Sequence, residues 1–356
     1  MPLTRRAVLL GGTAAALALA PAARAAAATG TRNTLYVHPG DSVQAAVNAT
    51  PDNPGPDEPW TIVLAPGTYR EVLAIPATKT GLTLRGATGD PRDAVIVYDH
   101  ANGTPKPDGS GTYGTTGSAT TTVQADGFTA EAVTFANDWL RADHPEITSG
   151  TQAVAIKVQG DRSAFHHCRF VAHQDTLYAD SMALAITARQ YYDQCYIEGD
   201  VDFVFGRATA VYERCHFHTL TRTDLAAAPY GFVLAPSTAV ANPRGYLVSR
   251  SLITSEAPDA YYKLARPWVP GSDPTAVPML TVRDTRLGPG IDAVTPYANM
   301  SATYPWQSQR FREYRNSGPG AVISVPENRP QLTAEEAAAQ TRESWLGDWT
   351  PWGDCR

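Results

Sequence analysis

Apolar and polar residues form short runs along most of the chain, and Gly, Asn, Asp and Pro separate these runs. Such a pattern is typical of β-strands joined by turns. Helical periodicity is confined to residues 42–49 and 333–345, and a capping box formed by Thr333 and Glu336 begins the second segment. The pattern therefore predicts an all-β protein with short flanking helices.

Three segments of the chain resemble one another: SAFHHCRF, QYYDQCYI and AVYERCHF. In each, an aromatic residue and a polar stretch precede a cysteine, and an apolar residue follows two positions later. Repeats of this kind indicate a solenoid whose coils bury their apolar faces on one another. With the handedness rule for parallel crossovers, they predict a single-domain, right-handed parallel β-helix whose long loops form a substrate cleft. An antiparallel β-sandwich is the alternative that the repeats leave open.

Charged residues recur in phase with these cysteines. Asp175, Asp202 and Arg222 each follow the cysteine of their repeat at the same interval. Adjacent coils lie about 4.8 Å apart, so the three charged residues are expected to stack. Cysteines at that spacing are within reach of a disulfide. Two carboxylates that close do not both ionise readily, so the pKa of one should rise.

The residues around this carboxylate pair suggest catalytic chemistry. Asp202 lies in the apolar run VDFVFG, where a charge is costly unless it is paired. Two carboxylates one coil apart can share nucleophilic and acid/base work. Gln174 and Gln152 carry amides able to donate to an oxyanion, and Arg266 can hold a carboxylate with two hydrogen bonds.

Each of these residues also has a structural interpretation. Aspartates often turn solenoid corners, the glutamines could form a polar ladder, and Arg266 could make a surface ion pair. Histidines beside Cys168 and Cys215 would allow a Cys–His nucleophile, but these cysteines occupy the repeated apolar position. The chain has no GxSxG motif and no cluster of acidic residues typical of a metal site, so we predict neither a serine nucleophile, a metal nor a cofactor.

Composition and charge narrow the class of protein. The chain has 356 residues, 43% of them hydrophobic, which is enough for a large core. Its net charge of -6 argues against nucleic acid or an anionic membrane as partner. Residues 1–25 combine a twin arginine, an Ala/Leu-rich stretch and a small-residue cleavage site, which predicts an export signal and a secreted protein. A retained membrane anchor is the alternative, although the apolar run is short and contains glycines.

Five motifs in order, PGTYRE, TQAVAI, HQDTLY, VDFVFG and LARPW, resemble those of the pectin methylesterases. The resemblance extends from Leu35 to Trp352 and includes the ending QLTAEEA…LGDWTP. It implies a right-handed parallel β-helix over residues 33–356, and a monomer that needs no cofactor. The implied activity is removal of methyl esters from the galacturonate units of pectin through an acyl-enzyme.

The resemblance also implies roles for individual residues. Asp202 would be the nucleophile, and Asp175 would act first as general acid and then as general base. Gln174 and Gln152 would stabilise the oxyanion, while Arg266 would keep Asp202 ionised. The positions implied to bind substrate are Trp268, Tyr178, Phe205, Val201, Thr115, Arg222 and Met300.

Four cysteines are present, and none shows the CxxC spacing of a zinc site. An exported protein can form disulfides. The resemblance implies a disulfide between Cys195 and Cys215, and it leaves Cys168 and Cys355 without an assigned partner.

Four positions depart from the family pattern. Ala172 and His173 stand where the family has glycine and tyrosine, Asp200 where a neutral residue is common, and Ala265 where glycine is usual. None of these changes removes a catalytic group. Other activities on the same fold are a polysaccharide lyase or glycosidase, a thioesterase, and a homologue that only binds polysaccharide; paired carboxylates also fit glycoside hydrolysis.

Overall fold

The computed structural model of the protein describes residues 33–55 and 57–351. The predicted export signal in residues 1–25 and Cys355 lie outside these residues. Within them the chain forms 25 strands: β1 (Thr34–Val37), β2 (Thr61–Leu64), β3 (Gly67–Arg70), β4 (Leu73–Ile75), β5 (Thr83–Gly86), β6 (Ala94–Tyr98), β7 (Thr121–Val123), β8 (Thr129–Glu131), β9 (Thr134–Asn137), β10 (Ile156–Val158), β11 (Ser163–His166), β12 (Arg169–Val171), β13 (Leu177–Ala179), β14 (Arg189–Asp193), β15 (Tyr196–Gly199), β16 (Val204–Gly206), β17 (Thr209–Glu213), β18 (His216–Thr219), β19 (Gly231–Pro236), β20 (Tyr246–Ser249), β21 (Leu252–Ser255), β22 (Tyr262–Ala265), β23 (Met279–Arg283), β24 (Arg286–Leu287) and β25 (Arg310–Tyr314).

The helices are short. The α-helices are α1 (Val43–Ala49), α2 (Gly114–Gly117), α3 (Ala334–Ala338) and α4 (Arg342–Leu346). Single turns of 3-10 helix occur at Arg141–Asp143, Pro270–Ser272, Trp306–Ser308, Pro319–Ala321 and Pro326–Asn328.

The strands form three parallel sheets that the chain visits in turn. Among the described residues, sheet 1 has ten strands, in the order β1-β2-β5-β8-β11-β14-β17-β20-β23-β25. Sheet 2 has eight, β3-β6-β9-β12-β15-β18-β21-β24, and sheet 3 has seven, β4-β7-β10-β13-β16-β19-β22. One strand from each sheet makes a coil, and each coil pairs in parallel with the next. The predicted parallel β-helix is confirmed and the antiparallel sandwich is excluded; the right-handed sense stays a prediction from the crossover rule.

The predicted helix near the amino end is confirmed as α1. Ser42 caps it by accepting a hydrogen bond from the Ala45 N–H at 3.0 Å. The carboxylate of Glu71, from the PGTYRE motif, accepts from the Val43 N–H at 2.6 Å and the Gln44 N–H at 3.1 Å. Glu71 is thus a structural cap, and it complements the positive end of the helix.

The predicted helix at residues 333–345 is two helices rather than one. Thr333 and Glu336 form the predicted capping box at the start of α3. A second capping box, between Thr341 and Ser344, starts α4. Because Thr341 is extended in order to cap, the helix cannot continue through it.

Aromatic residues stack inside the β-helix from coil to coil. Phe165, Tyr192 and Tyr212 are in register on β11, β14 and β17. The rings of Phe165 and Tyr192 stack with centroids 4.9 Å apart, and those of Tyr192 and Tyr212 with centroids 4.8 Å apart. The Tyr192 hydroxyl is satisfied by donating to Gln190 Oε1 at 2.7 Å. Burial of each ring contributes about 1.5–3 kcal/mol.

The predicted disulfide between Cys195 and Cys215 is wrong for this structure, in which both are free, buried thiols, as is Cys168. Tyr196 pairs with His216, so the two cysteines occupy equivalent positions on neighbouring coils. The spacing of about 4.8 Å between coils would allow the bond, but each thiol instead donates to a backbone carbonyl oxygen. Cys195 Sγ donates to Phe165 O at 3.5 Å and Cys215 Sγ to Tyr192 O at 3.3 Å.

Replacing Tyr192 with alanine removes the middle ring of the aromatic stack. We expect the free energy of unfolding to fall by about 3–5 kcal/mol, because the neighbouring rings cannot close the cavity. Tyr192→Phe, which keeps the ring and loses one hydrogen bond, should cost about 1 kcal/mol. Guanidinium denaturation measures both values, and equal losses in the two variants would contradict the stacking argument.

Candidate active site

The corner between sheet 2 and sheet 3 carries the two predicted aspartates. Asp175 lies just before β13 and Asp202 just before β16. Leu177 pairs with Val204 in these strands, so the aspartates occupy equivalent positions on neighbouring coils. The Asp175 N–H donates to Val201 O at 3.0 Å, which links the two turns directly. The predicted stacking of the carboxylates is confirmed.

Both aspartates have a left-handed backbone, with φ of 66° at Asp175 and 50° at Asp202. Aspartate adopts this conformation more readily than most residues with a side chain. The residue type that provides the carboxylate therefore also suits the turn at this corner.

The prediction that Arg222 stacks on Asp202 is wrong. Leu234 pairs with Val204, so Phe232 is the residue in step with Asp202 on the next coil. Arg222 lies in the longer segment between β18 and β19, where its Nε and Nη2 donate to Asp224 at 2.7 and 2.6 Å. This segment is longer than the corresponding corners of the two preceding coils. A residue at the same interval from its cysteine is therefore no longer in register with Asp202.

Arg266 follows β22 and neutralises Asp202. Its Nε donates to Asp202 Oδ1 at 2.8 Å, and its Nη2 donates to Oδ2. The guanidinium also lies 4.2 Å from the centroid of the Phe232 ring. A paired, hydrogen-bonded carboxylate is tolerated in this apolar run because it is no longer an isolated charge.

Burial and charge separate the two carboxylates. Burial, together with the nearby charge of Asp202, raises the pKa of Asp175 well above its usual value. Burial also raises the pKa of Asp202, but there Arg266 opposes the shift. Of the two carboxyl groups, Asp175 therefore holds a proton more readily, and Asp202, beside Arg266, loses its proton more readily.

The two glutamines lie on neighbouring coils, since the Ala153 N–H donates to Gln174 O at 3.0 Å. Gln174 Oε1 accepts from Thr151 Oγ1 at 2.7 Å, and Gln152 Oε1 accepts from Asn102 Nδ2 at 3.1 Å. Donors at both Oε1 atoms define the amide orientations, and they leave each Nε2 group able to donate to a ligand.

Thr115 is linked to the Gln152 side chain through Asn102. Its Oγ1 accepts a hydrogen bond from Asn102 Nδ2 at 3.0 Å, and the same amide group donates to Gln152. Asn102 therefore ties the loop before β7 to the Gln152 side chain.

An aromatic cluster lies next to the aspartates. The rings of Tyr178 and Phe205 stack with centroids 4.1 Å apart, and Trp268 meets both edge-on at 5.7 and 5.2 Å. Tyr178 is 5% exposed and Phe205 only 2%, so Trp268, which is partly exposed, offers the accessible ring surface. Met300, 38% exposed, accepts the Val269 N–H through its sulfur at 3.0 Å and so lies beside Trp268.

Long segments frame this corner. Residues 99–120, 138–155 and 220–230 precede β7, β10 and β19, and they enter sheet 3 at the same corner as the aspartates. Residues 266–278, after β22, bring Arg266 and Trp268 to the site. The catalytic candidates therefore lie at a corner where long loops enter and leave sheet 3, and the substrate cleft that these loops would form stays a prediction.

Three of the positions that depart from the family pattern, His173, Asp200 and Ala265, have structural roles. Asp200 is fully buried and pairs with Arg141 at 2.6 Å, while His173 Nδ1 lies 3.4 Å from the same carboxylate. Although burial opposes it, hydrogen bonds from His173 and Arg141 hold the pKa of Asp200 well below its usual value. The methyl group of Ala265 is buried in the main hydrophobic core. Val201 is partly exposed and donates its N–H to Asp200 Oδ1 at 2.6 Å.

Reasoning from the sequence missed Arg141, Asn102 and Thr151. All three lie in the corner loops and contact site residues through side chains that have no repeat position. Periodicity carries no signal for such residues. The unusual Asp200 was the one available hint, because a buried carboxylate needs a cation nearby.

Two kinds of feature are missing from the described residues, a membrane-spanning helix and a cluster of metal ligands. No helix there is long and apolar enough to cross a membrane. No group of three or more His, Cys, Asp or Glu side chains within residues 33–55 and 57–351 could hold a metal ion.

Comparison with known proteins identifies the family. The family model described as Pectinesterase matches residues 37–348. The chain belongs to the pectinesterase family. It is therefore a carboxylic ester hydrolase.

Individual relatives agree with this assignment. Pectinesterase A of Dickeya dadantii is 32% identical over 340 residues, covering 88% of this chain and 89% of the relative. The pectin methylesterase from Erwinia chrysanthemi has a similar structure, with a TM-score of 0.78 at 30% identity, covering 91% of this chain and 99% of that one. A pectin methylesterase crystallised with a hexasaccharide gives a TM-score of 0.77 at 31% identity, covering 87% of this chain and 94% of that one.

The ionisation of the aspartate pair is directly measurable. We expect carboxyl-carbon NMR to show two steps, with Asp202 losing its proton at lower pH than Asp175 and both steps shared by the coupled pair. In Arg266→Met the Asp202 step should move to higher pH, because the charge that lowers its pKa is gone. Arg92→Met, which removes an exposed arginine from Asp90, is the control. An unmoved Asp202 step in Arg266→Met would show that Arg266 does not set its charge.

Proposed function

We propose that this pectinesterase removes methyl esters from the galacturonate units of pectin, with Asp202 as nucleophile and an acyl-enzyme intermediate. The observation that carries the proposal is the stacked pair of buried aspartates in which Arg266 favours the charge on Asp202 and burial favours the proton on Asp175. A nucleophile and an acid with opposite proton occupancy are what ester cleavage needs at one carbonyl. The hexasaccharide bound by a related pectin methylesterase supports a polysaccharide substrate.

In the first half-reaction, a carboxylate oxygen of Asp202 attacks the ester carbonyl carbon. The resulting oxyanion accepts hydrogen bonds from Nε2 of Gln174 and Gln152, whose Oε1 atoms are already occupied. As the carbon–methoxy bond breaks, Asp175 gives its proton to the methoxy oxygen and methanol leaves. The product is an anhydride between Asp202 and the galacturonate carboxyl group.

In the second half-reaction, Asp175 is a carboxylate and takes a proton from water. The hydroxide formed attacks the galacturonyl carbon, and the anhydride bond to Asp202 breaks. Asp202 returns as a carboxylate paired with Arg266, and Asp175 again holds a proton. One ester and one water thus give one methanol and one galacturonic acid group.

The exposure of each side chain indicates which residues can contact the substrate directly. Trp268 offers a ring to the apolar face of a sugar, and Met300 and Val201 extend the surface beside it. Tyr178 and Phe205 act mainly by holding Trp268, because little of their own surface is accessible. Thr115 affects the site indirectly, through its hydrogen bond with Asn102. Arg222 extends the cleft wall, where the carboxylate of Asp224 compensates its positive charge.

We also propose that residues 1–25 direct export, that residues 33–356 form the catalytic domain, and that the mature protein acts outside the cytoplasm as a monomer without metal or cofactor. The twin arginine and the small-residue cleavage site support the export signal. Amino-terminal sequencing of protein from the culture medium should begin near Ala26. Retention of the uncleaved chain in cells would contradict it.

Substitution of the nucleophile tests the proposed reaction. Asp202→Asn keeps the size and the turn conformation but removes the attacking oxygen anion, so kcat for methanol release should fall about 10⁴-fold or more. The wild type should release methanol from methylated pectin without shortening the chain, and its activity should fall in acid as Asp202 becomes protonated.

Asp161→Asn, at a carboxylate on another side of the β-helix, is the matched control and should keep its activity. Chain shortening or unsaturated ends would favour a glycosidase or lyase instead. Full activity of Asp202→Asn would eliminate the aspartate nucleophile.

A further inference from the structure

Arg141 reaches into the site from the loop before β10. It begins the 3-10 turn Arg141–Asp143, and its Nη1 and Nη2 donate to the two carboxylate oxygens of Asp200 at 2.6 and 3.0 Å. Asp200 is completely buried, and 19% of the Arg141 side chain is exposed. Pairs with this two-pronged geometry combine strength with a defined orientation.

The same guanidinium contacts a residue of the proposed oxyanion site. Nη2 of Arg141 donates to Gln174 Oε1 at 3.4 Å, and Thr151, from the same loop, donates to that oxygen at 2.7 Å. Two donors on Oε1 prevent the amide from flipping, because a flipped amide would present its own N–H groups to them. The loop therefore keeps the Nε2 end of Gln174 in the donor position.

Asp200 links this loop to the turn that carries the nucleophile. Besides its pair with Arg141, its Oδ1 accepts the Val201 N–H at 2.6 Å, and Asp202 is the next residue. The Asp200 N–H donates to His173 O at 2.8 Å, directly before Gln174. One buried carboxylate thus connects the loop, the amide segment and the nucleophile segment.

We propose that Arg141 and Asp200 are a pair of positioning residues that hold the Gln174 amide and the Asp202 turn in their reactive arrangement. The pair acts through these residues and not on the substrate. This inference rests on the proposed function, since it assumes that Gln174 donates to an oxyanion.

A positioning role predicts a specific kinetic effect. The oxyanion exists only on the reaction path, so loosening its donor should lower kcat and leave KM nearly unchanged. Loss of an oxyanion donor typically costs about 10²–10³-fold in kcat, and a misplaced donor should cost somewhat less. We expect a fall in kcat of about 10–100-fold in Arg141→Met, with KM within about 3-fold.

The experiment compares Arg141→Met, Asp200→Asn and the double variant on methylated pectin. If the two residues act as one unit, the double variant should be no slower than the slower single variant. Arg141→Lys should regain most of the lost thermal stability through its charge, yet only part of kcat, because a single nitrogen cannot reproduce the two parallel hydrogen bonds to Asp200 together with the contact to Gln174.

The chain offers a matched control. Arg189 is 19% exposed, like Arg141, and its Nε and Nη2 donate to the two oxygens of Asp161 at 3.0 and 2.7 Å, but at the start of β14 in sheet 1. Arg189→Met should lower the melting temperature and leave kcat unchanged.

Three results would overturn the inference: an Arg141→Met variant whose kcat equals that of the wild type, kcat losses that multiply in the double variant, or a kcat loss in Arg189→Met equal to that in Arg141→Met. A wild-type protein that releases no methanol would instead refute the proposed function, so the two failures are distinguishable.

Discussion

The structure depends on in-register hydrogen bonding between successive coils. Because each coil pairs in parallel with the next, a residue type placed at one position stacks on its equivalent about 4.8 Å away. The same rule produces the aromatic stack of Phe165, Tyr192 and Tyr212 and the juxtaposition of Asp175 and Asp202. Stacking stabilises aromatic rings, but it also brings two carboxylates close together. Because two close carboxylates do not both ionise readily, one tends to keep its proton and can act as an acid, while the other is an anion.

The repulsion between the carboxylates is reduced because each one has different charged neighbours. Three aspartates lie close together at the corner of sheets 2 and 3, and each has a different environment. Asp200 is ionised between Arg141 and His173, and Asp202 faces Arg266. Within the part of the chain that the structure describes, Asp175 forms no ion pair with an arginine. The carboxylate left without a direct cation is the one on which the proton is most stable.

Repetition explains both the success and the failure of prediction from sequence. The phase between cysteine and aspartate held for two coils because the corners after β12 and β15 are short. It failed at Arg222 because the next corner contains a longer segment, and the residue in register became Phe232. Arg141 and Asn102 could not be predicted, since a loop residue that meets the site through its side chain follows no period. The family resemblance placed Arg266 correctly, but it suggested a disulfide where the structure has two stacked thiols.

A solenoid ends in a coil whose inner face and backbone have no neighbour, and such an edge invites the end of another molecule. At the amino end, α1 turns Val43, Ala46 and Val47 inward and contacts β1 and β4. Glu71 anchors the start of that helix from the bend between β3 and β4. The glutamate of the first family motif thus helps to cover the open end of the coil stack, where the exposed backbone could otherwise pair with another molecule.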